Sequence, residues 1–567
     1  MNKDSNPEYV IGVDVGTGSA RAGIFDLQGR MVATAQHPIQ IFRPREEHVE
    51  QSSRDIWSAI CASVRAALDQ EAVSPELIAG ISFDATCSLV ALDEHDKPVT
   101  VSLDGNPDQN IIVWMDHRAQ KQTDEINRTG HRVLNYVGGK LSPEQEPPKL
   151  KWIKENLSDT WRRAAKFFDL ADYLVYESCR EDVRSLCTVV CKWTYLGHEG
   201  EGGSWDESFF QQIDLEDLFV NGRAGERIRP MGTRAGGLTA TAASALGLRE
   251  GTPVGVGIID AHAGGIGSMG MAAEGEEQGV GQIQRTLALI GGTSSCHMAV
   301  SPEPRFISGV WGPYYGAMIP EMWLTEGGQS ATGALLDHVI ENHAYAPRLK
   351  EDSAARGQTV YELLNRKVAE MKESANNSPV TEELHVLPDF HGNRSPRADS
   401  HARGMISGLA LDSSFENLAR LYLATIQSIA YGTRHIIDAL NAKGYSISRI
   451  HACGGGTKNA LWLQEHADVT GCNLYIAKES EAVLLGAGVL AAVAAGKFSN
   501  IIEAMRAMSP RAEVIKPERA ASDFHDAKYE VFKLMYDHQQ QYREIMERSR
   551  VASGLVFSSS DVERRSG

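Results

Sequence analysis

Asp14 lies inside an apolar run, residues 10–15, that leads into Gly16-Thr17-Gly18-Ser19, with Arg21 two residues further on. A carboxylate inside an apolar run is costly unless paired, and a Mg²⁺ ion carrying phosphates is a natural partner. Gly16 and Gly18 tolerate positive φ and close backbone approach, so successive N–H groups can line an anion-binding nest. Thr17 and Ser19 add hydroxyl donors, and Arg21 adds a cation. A second stretch, Gly291-Gly292-Thr293-Ser294 between apolar residues 287–290 and 295–298, echoes the first without a carboxylate, which suits phosphate contact without metal. A third, Gly454-Gly455-Gly456-Thr457-Lys458-Asn459, opens a helix over 460–469 whose N-terminal dipole can receive a nucleotide. Each glycine turn alone also suits an ordinary tight hairpin.

Acids and hydroxyls gather where apolar runs end, and open α/β sheets place ligands at strand C-termini. Residues 253–259 run into Asp260, a carboxylate at a strand-to-helix junction and the candidate catalytic base. Residues 78–83 lead into Asp84-Ala85-Thr86-Cys87-Ser88, and residues 111–114 end at Trp114 before Asp116, His117 and Arg118. Against a polyhydroxylated ligand, Asp84 and Asp116 can accept, Thr86 can donate or accept, and Trp114 can pack a C–H face. The bland alternative leaves Thr86 and Cys87 lining the core beneath their strand. Cys187 and Cys191, four apart, share one helix face and read as core packing.

These residues need rigid elements to hold them. The spacing predicts a hairpin over 10–25, a third strand over 31–36, and a helix capped at Ser52/Ser53 with Ile56, Ile60, Val64 and Leu68 on one stripe. Pro147-Pro148 breaks the chain before a helix running to Asn156. A long helix spans 418–440, a Gly/Ala helix spans 481–495, and Phe532, Met535, Tyr542 and Met546 mark an amphipathic terminal helix. At 567 residues, 42% hydrophobic and 23% charged, the chain is of ordinary globular composition and too long for one core. The net charge of −18 argues against nucleic acid or an anionic membrane as main partner. The 8 cysteines form no CxxC pair, the N-terminal nine residues carry no signal-peptide core, and run 483–495 is too short to span a bilayer. A cytoplasmic enzyme follows, with a homodimer left open. No Walker-type phosphate loop is present, and Gly255-Val256-Gly257 lacks the third glycine of a dinucleotide site.

In order and spacing, residues 12–19, 148–152, 254–262, 291–294, 404–409 and 454–459 together resemble the FGGY carbohydrate kinases, within the sugar kinase/actin/Hsp70 superfamily. Residues 16–23 and 86–90 point to the pentulose kinase branch, with D-ribulose as the expected sugar and ribitol or L-ribulose as competitors. The Gln-Met-His-Gly motif of xylulose kinases is absent, its place taken by residues 85–88. The match over 418–432 is partial. The resemblance implies an α/β fold of two ribonuclease H-like domains facing across a cleft: 1–260, 261–515, and a helical extension over 516–567. It implies Asp260 as catalytic base and Asp14 as the acid organising Mg²⁺. Gly16, Thr17, Gly18, Ser19, Arg21, Gly292 and Thr293 would hold the ATP phosphates, and Gly455, Gly456 and Asn459 the adenosine. Asp84, Ala85, Thr86, Trp114, Asp116, Arg118, Lys192, Asp260 and Glu326 would surround the sugar. An actin/Hsp70-like ATPase serving as a binding module shares the nests and Asp14 but needs no sugar-facing acid.

Overall fold

The computed structural model describes residues 8–272, 275–276, 279–375, 379–477 and 481–552, with side chains as far as 549. Residues 1–7 of the N-terminal segment and 553–567 of the expected extension lie outside the described residues. The hairpin forms as its alternating apolar runs require. Tyr9–Val15 and Ser19–Asp26 pair antiparallel with Asp14 opposite Arg21, and Met31–Pro38 adds antiparallel on the outside. On the inner side Tyr9–Val15 pairs in parallel with Ile78–Ala85. That strand pairs in parallel with Pro253–Gly255 and Ile258–Ile259, and Arg234–Gly237 closes the edge antiparallel, giving seven strands. Helix Ser53–Gln70 starts where Ser52 Oγ accepts the Asp55 N–H, and it buries Ile56, Ile60, Val64 and Leu68 against this sheet. Each such side chain contributes roughly 1.5–3 kcal/mol by leaving water.

A second seven-stranded sheet repeats the path. Thr286–Gly291 and Ser295–Ser301 form the antiparallel hairpin, and Trp323–Gln329 adds antiparallel outside it. Arg449–Cys453 and then Asn473–Ala477 follow in parallel on the inner side, and Ala512–Ile515 closes the edge antiparallel. The two related halves expected from the twin glycine nests are thus present as two copies of one sheet topology.

Two helices cross between the halves. Asp260–Met269 packs beside Thr286–Gly291 of the second sheet, and Ala482–Ala494 lies on the inner strands of the first. Their crossing is glycine-tight: a Cβ on Gly486 would sit 2.0 Å from the Ala263 carbonyl oxygen, and one on Gly267 would sit 1.9 Å from that of Ala482. A Cβ on Gly12 would likewise meet the Leu484 carbonyl at 2.1 Å. These contacts explain why the Gly/Ala run at 481–495 is a helix that larger residues would push off the sheet.

Three expectations are corrected. Residues 111–114 are a strand only over Ile111–Ile112, which joins Glu50–Gln51, Leu89–Leu92 and Lys166–Asp169 in a separate four-stranded sheet. Pro147 and Pro148 do not precede their helix but lie in the first turn of Glu146–Asn156, where a missing N–H breaks no helical bond. In the terminal helix Ser522–Ala552, Phe532 and Met535 are buried, whereas Tyr542 and Met546 are exposed, so only its first half packs. Among the described residues no helix is long and apolar enough to cross a membrane.

Candidate active site

Three adjacent parallel strands of the first sheet each deliver an aspartate to the same edge. Asp14 and Asp84 stand side by side in the register of Tyr9–Val15 with Ile78–Ala85. Ile258 lies beside Asp84 on the other side, which brings Asp260 two residues later to the N-terminus of helix Asp260–Met269. Asp14 is the neutralised member: Arg21 Nε donates to its Oδ2 at 2.8 Å, with a second contact through Nη2. Arg21 also donates to Glu481 at 3.0 Å, so this cation ties the first sheet to the helix arriving from the second half. Asp84 is fully buried and neither of its oxygens has a hydrogen-bond partner. Burial pushes its carboxyl well above the usual range, and the charges of Asp14 and Asp260 push it further. Asp260 Oδ1 accepts from its own helix at the Ala261 N–H, 2.7 Å, while Oδ2 has no partner among the described residues. Burial and the Asp14 charge raise its pKa to about 6. A carboxylate with a free oxygen and that pKa can take up a proton near neutral pH.

A second group of polar side chains meets these acids from both halves. Lys192 ends the helix Leu186–Lys192, is buried, and lies over the Trp311 ring at 5.2 Å. Its ammonium makes no hydrogen bond or ion pair among the described residues. Burial works against its charge, yet the surrounding Cys87, Glu326 and Glu144 hold its pKa well above the ordinary value. Arg394 covers Trp311 at 5.1 Å and reaches Glu144 at 3.3 Å, joining the second half to the first. Glu326, on the strand Trp323–Gln329, faces His262 Nε2 at 3.2 Å, and His262 Nδ1 lies 3.0 Å from Cys187 Sγ. Burial would raise the Glu326 carboxyl, but His262, Lys192 and Arg394 bring it down to about 2. A buried cation without a partner and a carboxylate held ionised make a pocket suited to a neutral, hydroxyl-rich ligand.

The glycine turns open outward as required for a phosphate-bearing ligand. Beside Gly18 and Gly455 there is open space, and Gly16 and Gly292 meet only their own turns. Gly292, Thr293 and Gly455 are exposed, and Thr17 and Ser19 are half-exposed. Gly454, at φ 88°, turns directly under Gly291, which sets the second and third nests side by side. Asn459 serves its own helix: its Oδ1 accepts from the Leu461 and Trp462 N–H groups, and its amide donates to the Tyr422 hydroxyl. Gly456 lies beside Trp462.

Other expected site residues are distributed unevenly. Trp114 Nε1 donates to Thr17 Oγ1 at 3.0 Å, and Thr86 shares a hydroxyl contact with Ser88, which accepts the Trp114 N–H. Trp114, Thr86 and the buried Ala85 therefore border the first nest. Asp116 and Arg118 do not enter the site as free groups. Arg118 donates to both oxygens of Asp116 at 2.8 and 2.9 Å through Nε and to Glu50 at 2.7 Å, and all three side chains are fully buried. Asp116 and Arg118 thus spend their hydrogen bonds inside that cluster, because a buried charge must find its partner locally. Sequence reasoning passed over Trp311, Arg394, Glu144 and His262. Arg394 sits in the polar loop after Pro388 and His262 beside Asp260, but nothing local marks Trp311.

The chain matches two consecutive descriptions, the N-terminal domain of the FGGY family of carbohydrate kinases over residues 9–267 and the C-terminal domain over 287–495. It belongs to the FGGY family of carbohydrate kinases. An FGGY carbohydrate kinase domain-containing protein of Xenopus laevis is 48% identical over 95% of this chain and 98% of its own length. The D-ribulokinase YDR109C of Saccharomyces cerevisiae is 38% identical over 94% of this chain and 78% of its own. A ribulokinase of Shouchella clausii is 31% identical over 94% and 95%. Among solved structures, a ligand-bound xylulose kinase from Lactobacillus acidophilus superposes at TM-score 0.76 with 19% identity, covering 94% of this chain and 98% of that one. That likeness shows the two-domain sugar kinase fold. Membership of the family implies ATP as the phosphoryl donor.

Proposed function

We propose that this kinase transfers the γ-phosphoryl group of MgATP to the 5-hydroxyl of D-ribulose, with Asp260 as general base. The observation that carries the reading is that Asp260, with one unpartnered oxygen, lies within electrostatic reach of the buried Lys192, whose ammonium is unpartnered. The sugar's identity is supported by the similarity to the yeast D-ribulokinase. A sugar hydroxyl is a poor nucleophile until its proton is taken up, and Asp260 Oδ2 is the acceptor as the P–O bond forms. Lys192 and Glu326 then fix the remaining hydroxyls, one donating and one accepting. Backbone N–H groups at Gly16–Ser19 and Gly292–Thr293 hold the phosphates, and Gly455, Gly456 and the Asn459-capped helix hold the adenosine. Phosphoryl transfer is governed by positioning and charge neutralisation, and magnesium supplies the latter on the phosphates. The residues fit such an ion: Asp84 has two orphaned oxygens, and Asp14 stands beside it in the strand register.

The substrate is tested by comparing kcat/KM for D-ribulose, D-xylulose, L-ribulose and ribitol. A site that hydrogen-bonds specific hydroxyls can reject a misplaced one by roughly 10⁴–10⁵-fold. D-ribulose is expected to exceed its C3 epimer D-xylulose by a large factor. A value matched by any of the other three overturns the assignment of the sugar.

A further inference from the structure

Outside the acids and nests, one cluster of side chains is left without a role in phosphoryl transfer. Helix Leu186–Lys192 presents Cys187 and Cys191 one turn apart, and His262, in the first turn of Asp260–Met269, faces them. Their ligand atoms all lie within 4.8 Å of one another, the only such trio of histidine, cysteine or carboxylate ligands among the described residues. We infer that Cys187, Cys191 and His262 form a binding site for one soft divalent cation of the Zn²⁺ class, distinct from the magnesium that accompanies the nucleotide.

Thiolate and imidazole donors select such ions over magnesium or calcium, which take oxygen. Tetrahedral bond lengths of about 2.3 Å to sulfur and about 2.0 Å to nitrogen would space Sγ and Nδ1 roughly 3.5 Å apart. Cys187 Sγ and His262 Nδ1 stand at 3.0 Å, so a shift of about half an ångström admits the ion. The outer contacts are those of a metal-bound histidine. Glu326 meets the opposite nitrogen, Nε2, at 3.2 Å, which orients the ring and leaves Nδ1 towards the thiols. The helix is pinned as well: Ser185 Oγ caps it at the Cys187 N–H, and the Cys191 carbonyl accepts from Gln145 at 3.1 Å. Three protein donors leave a fourth position for a water or another exogenous ligand. All three side chains are buried, so exchange of the ion is expected to be slow. Because Lys192 follows Cys191 and Glu326 holds His262, occupancy is expected to shift the KM for sugar.

The test uses the full chain, stripped with a chelator under reducing conditions and titrated with Co²⁺. One equivalent per chain should bring up a sulfur-to-cobalt charge-transfer band in the near ultraviolet, displaced by Zn²⁺. Cys187→Ser, Cys191→Ser and His262→Gln should each lose or markedly weaken it, while Cys472→Ser should keep it. Since a core variant can fail to fold, X-ray absorption at the zinc edge of the wild-type protein is the second measurement. Two sulfur ligands near 2.3 Å and at least one nitrogen near 2.0 Å are expected. No stoichiometric band, a band that survives in folded Cys187→Ser, or a zinc shell without sulfur overturns the proposal.

Discussion

At the scale of single residues, Asp260 and Asp84 pay for their position. Burial and the nearby Asp14 charge raise both carboxyls, Asp260 to about 6 from an ordinary 3.8. A raised acid binds its proton more tightly in the folded chain. Its contribution to stability is therefore present in full below the unfolded pKa and is lost as pH climbs from about 4 through 6. Asp260→Asn is thus expected to raise the Tm at pH 7.5 while lowering kcat by roughly 10²–10⁴-fold. In the wild-type enzyme kcat/KM should fall on the acid side with an apparent pKa of about 6. Thermal melts and a pH–rate profile check both signs, and a variant with near-normal kcat rules Asp260 out as the base. The sequence made this residue legible, because a lone acid ending the apolar run 253–259 has few structural reasons to be there. It could not separate Asp84 from Asp116, which end similar runs. Asp116 has the Arg118 guanidinium two residues away to balance its charge, whereas neither oxygen of Asp84 has a hydrogen-bond partner.

At the scale of elements, the crossing of helices Asp260–Met269 and Ala482–Ala494 positions Asp260, the proposed base. Gly486 faces the Ala263 carbonyl so closely that an added methyl would stand 2.0 Å from it. Gly486→Ala must force the helices apart, and overpacking of this kind costs about 1–3 kcal/mol. A Tm lowered by several degrees is expected, with a loss of kcat because the turn carrying Asp260 moves with its helix. Gly281→Ala, where nothing lies within 4 Å, is the matched control and should change neither. Calorimetry and steady-state kinetics on the two variants decide it; equal melts would show that the crossing tolerates a methyl. The Gly/Ala composition of 481–495 announced tight packing, but its partner is more than 200 residues away in the chain.

At the scale of the molecule, two ion pairs among the described residues bridge the halves around the site, Arg21 with Glu481 at 3.0 Å and Arg394 with Glu144 at 3.3 Å, and His262 on the crossing helix meets Glu326 at 3.2 Å. Each sits beside a glycine nest or the mixed-charge pocket, so a ligand in one place favours the arrangement that the other needs. A non-hydrolysable ATP analogue is expected to tighten sugar binding, and sugar to tighten the analogue by the same factor, in the range of about 5–150-fold. Calorimetric titrations in both orders measure it, and independence in both orders would contradict this coupling. Arg394→Met should reduce that factor while leaving the affinity for nucleotide alone near its starting value.

The sequence by itself determined the repeating parts: two hairpins with glycine turns, the acids that end their neighbouring strands, and the third glycine turn that opens a helix. These follow from local rules, because an apolar run, a glycine turn and a misplaced carboxylate each declare their needs within a few residues. Only the tertiary structure decided which charges are free. Lys192, Trp311, Arg394 and Glu326 come from four separate segments, and their worth as a pocket depends on what else lies within a few ångströms. The same holds for Cys187, Cys191 and His262, which read as core thiols and a helix histidine until folding sets them against each other. Electrostatic need is set by distance in space, and for these residues neighbours in the chain say almost nothing about it.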